Sequence, residues 1–104
     1  HYNGESFLDV GTGTGILAIA AEKSKVESRK SKVVACDTDE DSITIALENA
    51  KVNDTPEIEF YVGSIEENTP TFDFVCANLT ADVIIPILPL LVEKSGNFLV
   101  LSGI

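Results

Sequence analysis

The sequence of 104 residues predicts a single α/β domain built on a doubly wound parallel sheet of about five strands. Three observations predict it. Short apolar or β-branched runs alternate with Ala-, Ile- and Leu-rich stretches of helical length. Most of the strand runs are apolar throughout, as strands covered on both faces are. A turn with glycine at alternate positions, Gly11-Thr12-Gly13-Thr14-Gly15, joins the first strand run to the first helical one. Right-handed crossovers then restrict the strand order to 3-2-1-4-5, with helices on both faces.

The elements follow in order. Residues 6–10 form a short apolar run that stops at the glycines, and residues 16–25 read as a helix. Residues 28–31 are polar. Residues 32–37 are β-branched and read as a buried strand. Asp39-Glu40-Asp41-Ser42 precedes a periodic segment, and acids there suit the positive end of a helix dipole. Ile43, Ala46, Leu47 and Ala50 share one face of that helix, which Asn53-Asp54-Thr55-Pro56 breaks. Residues 58–62 alternate as a third strand, and residues 71–78 read as a fourth. Residues 81–93 form an apolar helix that Pro86 and Pro89 should kink or split. Gly96 is expected to end it, before a fifth strand over residues 97–102.

Composition narrows the function classes. Seven Lys and Arg stand against 17 Asp and Glu, a net charge of −10. Phosphate backbones require a basic face, so direct nucleic-acid binding is not expected, and neither is an anionic membrane surface. No apolar stretch approaches the ~20 residues of a membrane span, and residues 1–5 do not open as a signal peptide does. Cys36 and Cys76 both lie in apolar runs and read as reduced packing residues of a cytoplasmic protein. One His and two separated Cys do not make a zinc site, so no metal is expected.

In a doubly wound sheet the ligand lies beyond the carboxyl ends of the strands, at the switch point beside the first one. The chemistry-bearing residues gather there: Asp9 to Gly15, Asp37, Gly63-Ser64 and Asn78. Alternate glycines let the backbone turn tightly and approach a ligand, and a helix N-terminus follows. A dinucleotide fold uses the spacing G-x-G-x-x-G. Here the spacing is G-x-G-x-G, with Asp9 two residues before the first glycine. A carboxylate there repels a pyrophosphate and attracts an ammonium. The pocket therefore suits a ligand with an amino-acid end and a nucleoside end better than it suits NAD. Asp37 ends the second strand and can accept both hydroxyls of a ribose, while Asp39 is better placed as helix cap. Ser64 could meet the edge of an adenine and Ile65 its face, though a plain turn explains them as well. Asn78, at the end of the fourth strand, can both donate and accept at a reaction centre. Its alternative is a cap for the next helix, for which Thr80 is also available.

The stretch Leu8-Asp9-Val10-Gly11-Thr12-Gly13-Thr14-Gly15-Ile16-Leu17-Ala18-Ile19-Ala20-Ala21 resembles the first motif of the class I S-adenosylmethionine-dependent methyltransferases. The closest resemblance is to the ribosomal protein L11 methyltransferases. Val34-Ala35-Cys36-Asp37-Thr38-Asp39, Glu48-Asn49-Ala50, Ala77-Asn78-Leu79 and Leu99-Val100-Leu101-Ser102-Gly103-Ile104 match that family's pattern. The resemblance implies a Rossmann-like fold, S-adenosyl-L-methionine as cofactor, and methyl transfer to amino groups of a protein, expected to be a ribosomal protein. It implies that Gly11, Thr12, Gly13 and Gly15 line the methionine part, that Asp9 helps hold the ammonium, that Asp37 binds the ribose, and that Thr38 is among the cofactor-binding residues. It places Ser64 and Ile65 beside adenine, and Asn78 between the methionine end and the amine to be methylated. Ser64 stands where the family often has Asp. The resemblance also implies a family domain N-terminal to this one and two further strands after the fifth. Residues 1–104 are thus expected to be a core fragment, weak or inactive alone. The competing readings are an NAD-dependent oxidoreductase domain and a non-catalytic nucleotide-binding fragment.

Overall fold

A computed structural model describes residues 6–24 and 32–103. The strands are β1 (Phe7–Val10), β2 (Val33–Asp37), β3 (Glu59–Val62), β4 (Phe72–Asn78) and β5 (Ser95–Ser102). The helices are α1 (Ile16–Lys23), α2 (Glu40–Val52) and α3 (Ala81–Lys94). The five strands form one sheet in the order β3-β2-β1-β4-β5, and every pairing is parallel. The expected class and strand order are both present. The expected last residue of the first helix, Lys25, the polar stretch 28–31 and His1 lie outside the described residues.

Strand alternation divides the core between the two faces. Phe7, Val33 and Ala35 pack with Ala18, Ile19 and Ala21 of α1 and Ala50 of α2. Leu8, Val10, Val34, Cys36, Val75 and Ala77 pack with Ile84 and Leu91 of α3. Asp9 points to the first of these faces, between neighbours Ala35 on β2 and Cys76 on β4. It is the one acid of a strand that is otherwise hydrophobic. At the other end of the sheet, Asp73 ties the starts of β1 and β4 together. Its Oδ2 accepts from Ser6 N and Ser6 Oγ, at 3.0 and 2.9 Å.

Three expectations need correction. Leu47 is 52% exposed, whereas Ile43, Ala46 and Ala50 are buried as expected. The buried seam of α2 centres on small residues, because α1 begins against it: a Cβ on Gly15 would lie 3.0 Å from the Ala46 Cβ. Pro86 and Pro89 do not split the apolar run, which is one helix of 14 residues. Both prolines are exposed, while Ile84 and Leu91 are buried and Ile87 and Leu90 half-buried. A proline inside a helix costs about 3 kcal/mol, and burial of that opposite stripe offsets it at roughly 1.5–3 kcal/mol per large apolar side chain. Finally, Gly96 does not end the helix. The helix passes directly into β5 at Ser95, so Gly96 lies within the strand.

Candidate functional site

The carboxyl ends of β1, β2 and β4 meet around the glycine turn. Gly11 N and Thr12 N both donate to the Cys36 carbonyl at 2.9 Å, and Gly15 N donates to Thr12 O at 3.0 Å. Gly13 N donates to Asp37 Oδ2 at 3.0 Å, which ties the loop to the end of β2. Gly11 has φ +79°, and a Cβ there would stand 2.7 Å from Leu79 Cδ2 and 2.8 Å from Asn78 O. Only glycine lets β1 leave the sheet so close to the end of β4. Gly13 differs: at φ +57°, a Cβ there would meet nothing within 4 Å. The loop crest therefore faces open space. Helix α1 then starts with Gly15 as cap and no acid in its first turn.

Below this turn Asp9 is 1% exposed. Neither of its carboxylate oxygens has a hydrogen-bond partner, and Thr12 Oγ1 has none. Burial pushes the Asp9 carboxyl up from 3.8 to about 6. The Thr12 hydroxyl, near it without closing a sound hydrogen bond, opposes that shift, and the charge of Asp37 adds to it. The thiol of Cys76 is in turn pushed up to about 11 by burial and by Asp9. Both cysteines are free thiols, as expected. An unsatisfied buried carboxylate costs free energy.

Asp37 is half-buried, with Oδ1 accepting from Asp39 N at 2.9 Å and Oδ2 from Gly13 N. The α2 cap is Asp39, which accepts from Asp41 N at 3.2 Å and from Ser42 Oγ at 2.9 Å. Asp37 is thus not occupied as a cap, and Thr38 beside it is exposed. Gly63 N donates to Asp37 O at 2.8 Å, which brings the end of β3 alongside. Ser64 is half-buried there, and its carbonyl accepts from the Tyr61 hydroxyl at 3.3 Å. Ile65 is 4% exposed and belongs to the α3-side core with Leu8, Val34 and Phe72. Asn78 is exposed, and Thr80 holds the N-cap position of α3 in its place. The structure thus brings Asp9, Gly11, Thr12, Gly13, Gly15 and Asp37 together, sets Asn78 across Gly11 from them, and turns Ile65 inward.

Two further residues, Ser102 and Gly103, stand beside Asn78. Ser102 Oγ donates to Asn78 Oδ1 at 3.3 Å. A Cβ on Gly103, which has φ +82°, would stand 2.5 Å from the same oxygen. Their signal was the Ser102-Gly103 pair ending the last strand, where a glycine after a strand-end hydroxyl marks a close approach.

Comparison with known proteins adds what geometry alone does not. The family model of ribosomal protein L11 methyltransferase (PrmA) matches residues 1–104. The chain belongs to that family. A ribosomal protein L11 methyltransferase of Myxococcus xanthus is 44% identical over 101 residues, which are 97% of this chain and 34% of that protein. One of Thermotoga maritima is 40% identical over 103 residues, 97% of this chain and 38% of that protein. The chain thus spans about a third of the length of these relatives. The crystal structure of a ribosomal protein L11 methylase from Lactobacillus delbrueckii subsp. bulgaricus aligns with a TM-score of 0.84 at 32% identity, over 95% of this chain and 51% of that one. In this family member the glycine turn, Asp9 and Asp37 occupy the switch point of the sheet, where ligands of doubly wound folds lie. No group of His, Cys, Asp and Glu among the described residues could hold a metal ion. No helix among the described residues is long and apolar enough to cross a membrane.

Proposed function

We propose that this chain is the S-adenosylmethionine-binding core of a protein methyltransferase whose substrate is amino groups of ribosomal protein L11. The observation that carries the reading is the buried, unpartnered pair Asp9 and Thr12 beneath a glycine crest that faces open space. The donor set fits the group. S-adenosylmethionine carries an ammonium that an orphaned carboxylate can satisfy, and two ribose hydroxyls that Asp37 can accept. Asp9, two residues before the first glycine, disfavours a diphosphate at the turn, which weighs against NAD.

In this reading Gly11, Thr12, Gly13 and Gly15 line the methionine part. Asp9 holds its ammonium, directly or through water. Asp37 and Thr38 hold the ribose. Ser64 meets the adenine edge. Ile65 would have to leave the core to touch the ring, so Ser64 carries that contact and Ile65 supports it from beneath.

The bound cofactor supplies a methyl group already activated on a sulfonium, so the chain needs no nucleophile of its own. The residues contribute alignment and exclusion of water. Asn78 takes the acceptor amine and the methionine end on one side chain. The acceptor amine would have to arrive as the free base. Its bond to the methyl carbon would form as the carbon–sulfur bond of the sulfonium breaks and the neutral thioether leaves, and the proton lost from nitrogen would pass to water. This chain spans about a third of its relatives' length, so the substrate contacts of a whole methyltransferase are not all within residues 1–104, and these residues alone should bind cofactor and turn over weakly or not at all.

Asp37→Ala tests the reading. S-adenosylhomocysteine affinity should fall by about 2 kcal/mol, because two ribose hydroxyls lose a charged acceptor. Circular dichroism should show the sheet and helices retained, since Asp39 keeps the α2 cap, although Gly13 N and Asp39 N lose their acceptor. Asp37→Asn, which keeps an acceptor oxygen without the charge, should lose affinity in the same direction. Unchanged affinity in a folded variant removes Asp37 from the ribose.

A further inference from the structure

We infer that Ser102 is a positioning residue for methyl transfer: its hydroxyl, with Gly103 beside it, fixes the rotation of the Asn78 side-chain amide at the end of β4. The inference rests on the proposed place of Asn78 at the reaction centre, and deepens it by asking what holds that side chain still.

Asn78 is exposed, and an exposed amide on two rotatable bonds has little reason to keep one orientation. Here two strand ends grip it. Asn78 and Ser102 are register partners of β4 and β5, and Leu79 N donates to Ser102 O at 3.0 Å. That ladder continues one residue past β4 and sets Ser102 Oγ 3.3 Å from Asn78 Oδ1. Gly103 closes in behind: a Cβ there would meet Asn78 Oδ1 at 2.5 Å, Leu79 N at 3.3 Å and Leu79 O at 3.4 Å. From the other side Gly11 approaches Asn78 O and Leu79 just as closely. The segment 78–79 is therefore held between two glycines, one at the end of β1 and one after β5. With Oδ1 engaged by Ser102, the second lone pair and both amide N–H donors keep one direction. A group that must orient an incoming amine benefits from that fixity, since small misplacements of reacting atoms cost large factors in rate. Removal of Ser102 Oγ should thus affect the chemical step more than cofactor binding.

The test uses the full-length protein with ribosomal protein L11 and radiolabelled S-adenosylmethionine. It compares the native protein with Ser102→Ala, Ser102→Thr, Asn78→Ala and the double variant Asn78→Ala/Ser102→Ala. Ser102→Ala should lower kcat about tenfold, the loss of one hydrogen bond. Its S-adenosylhomocysteine affinity should stay within about twofold. Ser102→Thr keeps a hydroxyl and should restore most of the rate. In the Asn78→Ala background, Ser102→Ala should add no further loss, because the two residues act as one unit. The same tenfold loss in that background, or native turnover in Ser102→Ala, overturns the inference while the enzyme still transfers methyl groups. Failure of the native protein to bind S-adenosylhomocysteine or to transfer methyl groups overturns the functional reading, and the inference with it.

Discussion

Replacing Asp9 by asparagine is expected to stabilise the chain in the absence of added ligand and to weaken its hold on an adenosyl amino acid. Asp9 is 1% exposed without a hydrogen-bond partner, and its carboxyl is raised from 3.8 to about 6. A raised acid binds its proton more tightly in the folded chain than in the unfolded one. Stability therefore falls as pH rises from about 4 to about 6 and is level above that. A rise from 3.8 to about 6 corresponds to roughly 3 kcal/mol. Asparagine removes the charge and keeps the shape. Urea unfolding at pH 7 should place Asp9→Asn about 2–3 kcal/mol above the native chain, and the difference should vanish below pH 4. A difference that does not change with pH would show that the burial penalty is not electrostatic. The same variant should bind S-adenosylhomocysteine more weakly at pH 7, since the ammonium loses its counter-charge. Stability and binding thus move in opposite directions at one residue, as expected where a site is kept strained for its ligand.

Gly11→Ala should have the second large effect, and on the fold itself. The left-handed backbone at φ +79° costs an alanine roughly 1–2 kcal/mol. The added Cβ also meets Asn78 O at 2.8 Å and Leu79 Cδ2 at 2.7 Å. Leu79 can turn aside in part, but the Asn78 carbonyl is backbone and cannot. The sum should be about 3 kcal/mol of lost stability. Gly13→Ala is the control. It pays for its φ of +57° but meets nothing within 4 Å, so its cost should be near 1 kcal/mol. Its added methyl group would project into the open space assigned to the methionine part, so ligand affinity should drop further than stability. Thermal unfolding of the two variants side by side checks the contrast. Equal losses would mean that the close approach of β1 to β4 does not matter.

What was legible in the sequence follows from the range of the forces involved. Apolar runs interrupted by helical periods report burial on both faces, so the sheet and its order could be read. The glycine turn was legible because alternate glycines have few other uses after a strand-end acid. Leu47 is exposed despite its spacing because helical periodicity marks a face but not its centre. That centre is set by the close approach of Gly15 to Ala46, a contact between residues 31 positions apart. Pro86 and Pro89 have a strong local effect, yet the buried stripe of Ile84 and Leu91 outweighs it. The Ser102-Gly103 pair marks a strand end in the sequence, but its place beside Asn78 depends on β5 lying against β4. Only the parallel register brings it to Asn78. Ile65 reads from sequence as a residue at a ligand-bearing strand end, but the turn after Gly63 directs it inward.

If Asp9 beneath the G-x-G-x-G turn sets ligand choice, the switch point takes an adenosyl amino acid in preference to a dinucleotide. Isothermal titration of the chain with S-adenosylhomocysteine, with NAD in a parallel cell, tests it most directly. Binding of S-adenosylhomocysteine should be saturable and weak and should strengthen as pH rises through about 6, where Asp9 loses its proton, while NAD should give no heat of binding. Saturable binding of NAD with no response to S-adenosylhomocysteine would contradict it.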